Sequence, residues 1–439
     1  MVSLCFYFQV HQPFRMRKYT VFDIARNHKY FNDKKNREVM LKVAKKCYLP
    51  MNNLILNQIS ETDGKFKAAF SLSGTFMEQA EQHCPEVIDS FKDLAKTGNV
   101  EFLGETYYHS LAFIHSRPEF REQVKMHSKK ISQLFKQKPS VFRNTELIYN
   151  NEVADEASRM GFSTVLAEGA DHILNGRSPN LVYSAGSSRE NAPEFQAGTN
   201  KISMNKVSPN KVSLLLKNYR LSDDIAFRFS NQAWEGWPLS AEKFSSWVND
   251  SAFGNVAVGE NDASNYSAAH SVNLFMDYET FGEHQWAESG IFNFMKQLPA
   301  ELLKNPNNNF MTPSEVSRVY PSKGALDIPN LVSWADMERD VSAWLGNKLQ
   351  ESAARELYLL ERPIKRHCEV TGDLTMLNDW RMLQTSDHFY YMCTKYFSDG
   401  DVHKYFNPYE TPYEAYMYFM NILNDLKIRL GEPKKLGKL

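Results

Sequence analysis

The chain has 439 residues, 42% hydrophobic and 23% charged, and its 51 basic and 52 acidic side chains leave a formal net charge of −1. That balance excludes the electrostatic footprint of a nucleic-acid or anionic-membrane binder, and the length is enough to bury a large core. Cys5, Cys47, Cys84, Cys368 and Cys393 form no CxxC pair, which argues against a disulfide framework or a cysteine zinc site.

The first ten residues are mostly apolar and carry neither a basic flank nor a small-residue cleavage site, so they read as a buried strand rather than a secretory leader. No apolar run is long enough to span a bilayer, and the expected location is cytoplasmic. Candidate strands follow at 2–11, 67–77, 99–109, 140–149, 164–168, 212–216, 225–229 and 271–278. Amphipathic stretches such as 85–96 and 118–135 lie between them. In the second, Phe120, Val124, His127, Ile131 and Phe135 recur at helical spacing. Pro85 and Pro118 suit first helical turns. This alternation predicts an α/β fold with a parallel sheet or barrel. Residues 177–211, rich in Ser, Asn, Gly and Pro, are expected to run over the barrel mouth. From about residue 328 the pattern turns helical and aromatic. The expected division is therefore a barrel over 1–327 and a helical region over 328–439 that contributes to the site, ending in a frayed basic tail at 433–439.

Chemistry in parallel α/β folds gathers at the carboxyl ends of strands, and polar residues concentrate there in this sequence. The first strand ends in His11-Gln12-Pro13. Such a histidine can bind a ligand hydroxyl, orient a carboxylate, ligate a metal or simply satisfy the strand end. The third holds Glu101 and Glu105 in an apolar run, where an unpaired carboxylate is costly, and closes on His109. On the fourth, Asn144, Glu146 and Ile148 share one face by strand alternation, and Arg143 and Thr145 the other. Glu146 is a candidate site residue, with an ion pair to Arg143 as the bland alternative. The last apolar strand terminates in Asp277 and Glu279. Their mutual repulsion is expected to raise one apparent pKa, as a general acid requires. Gly282 permits a tight turn, and His284 either faces the site or caps it. Two carboxylates from separate strands suit glycoside hydrolysis.

These residues resemble the motif set of glycoside hydrolase family 57 over most of the chain and in the right order. His11-Gln12-Pro13, the segment 98–103 with Glu101, Asn144-Thr145-Glu146, the segment 276–283 and the segment 334–347 correspond to its five motifs. The resemblance implies an incomplete seven-stranded (β/α) barrel followed by a C-terminal helical bundle. It also implies Glu146 as nucleophile and Asp277 as acid/base of a retaining enzyme acting on an α-glucan or maltooligosaccharide, without a cofactor. The contexts of Asn144-Thr145-Glu146 and Thr106-Tyr107-Tyr108-His109 look closer to the α-amylase members than to the branching enzymes. In the fifth motif Asp340, Trp344 and Asn347 fall on one helical stripe, where an indole stacks on sugar and polar groups take hydroxyls; plain core is the alternative for Trp344. Trp234 and Trp237 are further subsite candidates, and Asp387 a residue that reaches the site from the bundle.

Beside a non-catalytic glucan-binding or regulatory protein, whose case needs a lost carboxylate where this sequence retains both, two enzymatic rivals remain. A 4-α-glucanotransferase uses the same machinery. A metal-dependent carbohydrate deacetylase or mannosidase shares the architecture, but requires His11, His109 and His284 to converge.

Overall fold

The computed structural model describes residues 2–186, 212–253, 269–397 and 407–431. Its strands are β1 (Val2–Val10), β2 (Ala68–Leu72), β3 (Val100–Phe102), β4 (Val141–Arg143), β5 (Thr164–Glu168), β6 (Tyr183–Ala185), β7 (Ser213–Lys217), β8 (Ser271–Asp277), β9 (Asn308–Phe310) and β10 (Ala325–Leu326). One parallel sheet runs β3-β2-β1-β8, with β9 added at the start of β1. In the other, β4-β5-β7 are parallel, β6 pairs antiparallel with β7, and β10 flanks β6.

The two sheets close on each other at both edges. Gly104, just past β3, bridges Phe142 of β4. Between β7 and β8, the Asn218 amide donates to the Asn273 carbonyl at 2.9 Å and Asn273 Nδ2 to the Leu216 carbonyl at 2.8 Å. The circuit β1-β2-β3-β4-β5-β7-β8 is a seven-stranded parallel barrel, one strand short of the common eight.

Side-chain alternation sorts each strand into an outer and an inner face. Phe6, Phe8, Phe70 and Leu274 point outward into the core beneath the helices. Tyr7, Ala69, Leu103, Val141, Leu166, Leu215 and Phe275 form one inward cluster, a residue from each of the seven chain segments. Two positions further on, where alternation returns to the inner face, stand Gln9, Ser71, Glu105, Arg143, Glu168, Lys217 and Asp277. An apolar layer is thus roofed by a polar one at the carboxyl ends.

Several expected strands are shorter. Segment 67–77 breaks after Leu72, where the Ser73 side chain caps the helix Gly74–His83 by accepting from the Phe76 amide. Segments 99–109 and 140–149 leave the sheet after Phe102 and Arg143. The expected strand at 225–229 does not form. Asp224–Arg228 is helical, continues the helix Tyr219–Asp223, and is tied by Arg228 Nε to Asp224 Oδ1 at 2.7 Å. A short apolar run does not by itself distinguish the two states, and its removal from the strand list leaves seven.

Of the excursion at 177–211, residues 187–211 lie outside the described residues. The segment leading to it pairs with β7 through the Ala185 amide and Val212 carbonyl, at the end of β7 remote from the mouth. Past residue 328 the chain first runs without helix, and the bundle begins at Ser342–Leu345. The helices Lys348–Leu359, Glu361–Thr371, Thr375–Met382 and Pro412–Arg429 surround a core containing Trp344, Trp380, Phe389 and Phe419. The tail at 433–439 lies outside the described residues.

Candidate active site

The polar layer alternates in charge over five consecutive segments of the barrel wall: Glu105, just past β3, then Arg143, Glu168, Lys217 and Asp277 at the ends of β4, β5, β7 and β8. Six of the seven members of the layer are buried, and Asp277 alone is partly exposed at the mouth. Its register beside Gln9 of β1 fixes it on the inner face. Burial, and then the charge of Glu146, push the Asp277 carboxyl up to about 6, although Arg143, His109 and Lys217 pull the other way.

Glu146 arrives differently from expected. It sits not on a strand but in the turn Thr145–Leu147, with φ 58° at Glu146 and 51° at Leu147. The left-handed region costs a residue with a Cβ about 1–3 kcal/mol. Asn144 braces the turn: its carbonyl accepts from the Leu147 amide at 3.0 Å and its Nδ2 donates to the Ile148 carbonyl at 2.9 Å. The strand alternation expected for Asn144 and Glu146 therefore gives way to a turn that lifts the carboxylate over the polar layer. Glu146 Oε1 receives His109 Nε2 at 3.2 Å and Ser386 Oγ at 2.9 Å, and Oε2 receives the Trp334 indole at 2.8 Å. Burial alone raises its pKa, but the bond to His109 and the charges of His109 and Arg143 win and hold it below the ordinary value.

His109 hangs between two acids, with Nδ1 2.9 Å from Glu105 Oε2. Its ring stacks on His11 with centroids 4.1 Å apart. His11 bonds Ser73 Oγ through Nδ1 at 2.7 Å and Asp387 Oδ2 through Nε2 at 2.9 Å. Asp387 therefore does reach the barrel mouth from the helical region, and proximity to His11 holds its carboxyl well below the usual range despite burial. Glu279 lies behind, accepting from Tyr48 Oη at 2.6 Å and the His11 amide at 3.3 Å. Burial, and next the charge of Asp277, push it up to about 8. Gln12 is one step further out, with Nε2 donating to Tyr48 Oη at 3.0 Å. Gly282, at φ 100°, turns the chain where a Cβ would stand 2.0 Å from the Lys46 carbonyl.

Other candidates fall elsewhere. Glu101 points inward but toward the amino end of the barrel, where Oε2 accepts the Ser314 amide at 3.0 Å at the start of the helix Pro313–Val319. Trp344 is 2% exposed, inside the helical core. The expected stripe Asp340–Trp344–Asn347 is broken, because its helix spans only Ser342–Leu345. Asp340 accepts from the Ser342 amide at 2.8 Å, and Asn347 is the N-cap of the helix Lys348–Leu359. Trp234 packs edge-on to Trp247 at 5.7 Å, beneath the Arg228 guanidinium, and Trp237 is exposed one turn away. Burial lowers the His284 ring to about 4, with the charge of Lys42 adding to the effect and that of Glu283 opposing it.

Sequence reasoning missed Trp334 as a site residue, although it opens the fifth motif. It also missed Ser386, beside the candidate Asp387, together with Tyr48, Glu168 and Lys217. The last two carried a signal: each is a charged residue closing an apolar strand.

The class that fold and site define is a parallel-barrel enzyme whose ionisable groups meet at the strands' carboxyl ends. The description "Glycosyl hydrolase family 57" matches residues 5–329. A Methanocaldococcus jannaschii protein described as "Putative alpha-amylase" is 41% identical over 98% of this chain and 85% of its own. The chain belongs to glycosyl hydrolase family 57 and is a glycoside hydrolase by that membership. Among solved structures, the fold is shared with a branching enzyme from Thermococcus kodakaraensis, at TM-score 0.64 and 13% identity over 100% of this chain and 92% of that one. It is also shared with an alpha-amylase from Thermotoga maritima, at TM-score 0.59 and 12% identity over 99% and 94%. A 4-alpha-glucanotransferase from Thermococcus litoralis matches at TM-score 0.55 and 14% identity over 92% of this chain, which spans 54% of that enzyme's length. Among the described residues, no helix is long and apolar enough to cross a membrane.

Proposed function

We propose that the protein is a retaining glycosidase of α-1,4-linked glucans, with Glu146 as nucleophile and Asp277 as acid/base. The observation that supports this most is the opposite bias of two accessible carboxyls at one mouth. Glu146 is held ionised by His109 and Arg143, while Asp277 is pushed up to about 6. Glu146 attacks the anomeric carbon as Asp277 delivers its proton to the departing glycosidic oxygen. Esterification then removes the Glu146 charge, and with it the repulsion that raised Asp277. Its pKa falls, which suits the same group to take a proton from the water that releases the sugar. We also read residues 1–327 as the catalytic barrel and 328–439 as a mainly helical region that completes the site through Ser386 and Asp387; Trp334, in the non-helical run that opens this second region, holds Glu146.

Incubation with maltooligosaccharides tests the reading. Net reducing ends and an α anomer released first are expected, with both lost in Glu146→Gln. Longer oligomers without net reducing ends mean a 4-α-glucanotransferase instead. A Glu146→Gln variant with wild-type turnover removes the assignment, and loss of activity in EDTA restored by zinc points to a metal-dependent reaction.

A further inference from the structure

Arg143 ends β4 fully buried, and none of its three side-chain nitrogens has a hydrogen-bond partner among the described residues. A buried guanidinium left without donors satisfied is costly and calls for a compensating field. Its Cζ lies 4.7 Å from the centre of the Trp334 ring, whose indole N–H donates to Glu146; Lys217 Nζ lies 5.4 Å from the same ring. In the polar layer it stands between Glu105 of the preceding segment and Glu168 of the next strand.

We infer that Arg143 is a positioning residue, an unpaired cation sealed beneath the mouth whose charge sets the protonation of Glu146 and Asp277 without touching substrate. This rests on the catalytic roles proposed above. Full burial excludes a substrate contact. The absence of a bidentate partner leaves its charge uncommitted to any one acid, so it acts on Glu105, Glu146 and Asp277 together, and each of those carboxyls is lowered by it. Among the described residues, the other charged or titratable groups around these acids are His11, His109, His127, Tyr7, Lys217, Glu168, Glu279 and Asp387. Lys217 is committed to Asp223 at 2.9 Å, and His109 to Glu105 and Glu146. Arg143 alone carries a permanent charge with no such commitment.

The sign follows directly. Arg143 favours the ionised forms, so its removal raises both pKa values. In Arg143→Met the acidic and basic limbs of the kcat/KM profile on a maltooligosaccharide are both expected to move up by about one pH unit. Arg143→Lys, which keeps the charge, is expected to hold them in place. A lower rate with unmoved limbs overturns the inference and leaves Arg143 a packing residue. Arg143→Gln serves the same comparison where the Met variant does not fold. A wild-type protein inert on α-glucans removes the functional reading alone. The pH midpoint of Trp334 fluorescence, taken as the difference from Trp334→Phe, then reports Glu146 ionisation. That midpoint rises in Arg143→Met if the inference holds and is unchanged if it fails.

Discussion

His11 and His109 stack ring on ring at 4.1 Å, yet their protonation is driven apart. Burial lowers both. At His109 the bonds to Glu105 and Glu146 overcome it and raise the ring to about 9, whereas at His11 the nearby His109 charge adds to the lowering. These opposite biases favour one imidazolium stacked on one neutral ring. His11 then donates from Nε2 to Asp387, which accepts only, and accepts at Nδ1 from Ser73.

That arrangement makes stability depend on pH. His109 has its pKa raised from 6.5 to about 9, so its contribution is complete below 6.5 and lost as pH rises through 9. Glu105, lowered from 4.5 to about 2 by His109 against the effect of burial, contributes above 4.5 and loses that contribution as pH falls toward 2. Thermal unfolding is expected to show a falling Tm between pH 6.5 and 9. In His109→Asn the slope disappears and about 3–5 kcal/mol is lost near neutrality, because Glu105 stays buried without its partner. An unchanged slope in the variant refutes the assignment of charge to this ring.

Trp334 holds the Glu146 carboxylate by its indole N–H at 2.8 Å, while its backbone amide donates to the Glu146 carbonyl at 3.3 Å. A bond to a charged acceptor contributes about 1.5–3 kcal/mol, and it matters most when breakdown of the glycosyl-enzyme returns charge to the carboxylate. Trp334→Phe keeps the ring and removes the donor. Its kcat is expected to fall roughly 10- to 100-fold, with the fold intact by circular dichroism. A kcat within twofold of wild type contradicts the role.

Much of this was legible in the sequence, for an identifiable reason. Strand periodicity is a short-range property, so Asp277 could be read at the end of β8, and Glu168 and Lys217, though missed, carry the same mark two positions past an inward apolar residue of β5 and β7. What defeated the reading was backbone geometry. Nothing local shows that Glu146 and Leu147 adopt positive φ, so continuing the strand placed Asn144 on the site face when it braces the turn. Trp344 and Trp334 lie ten residues apart in one motif, and only the packing of the helical core decides that the first is buried. Glu101 misled for a subtler reason: it faces inward as expected, but at the wrong end of the barrel.

Glu101 supplies a control on that last point. Its carboxyl accepts the Ser314 amide at a helix start, so Glu101→Ala should lower stability by about 1 kcal/mol, the usual scale of an N-terminal capping contact. Its kcat/KM should stay within twofold of wild type at temperatures where the variant is folded. A loss of activity larger than tenfold without unfolding returns Glu101 to the site.

The division of labour between Glu146 and Asp277 is open to a sharper test than loss of activity. Proton delivery matters when the departing group is a sugar alcohol and hardly at all when it is an acidic phenol. Asp277→Ala is expected to lose about 100- to 10,000-fold on maltooligosaccharides, and far less in the first step on an activated aryl α-glycoside. The second step still lacks its base, so the glycosyl-enzyme accumulates. Added azide, which needs no proton removed, should restore turnover and yield a glycosyl azide of retained configuration. Equal losses on both substrates, with no response to azide, are incompatible with acid/base catalysis by Asp277.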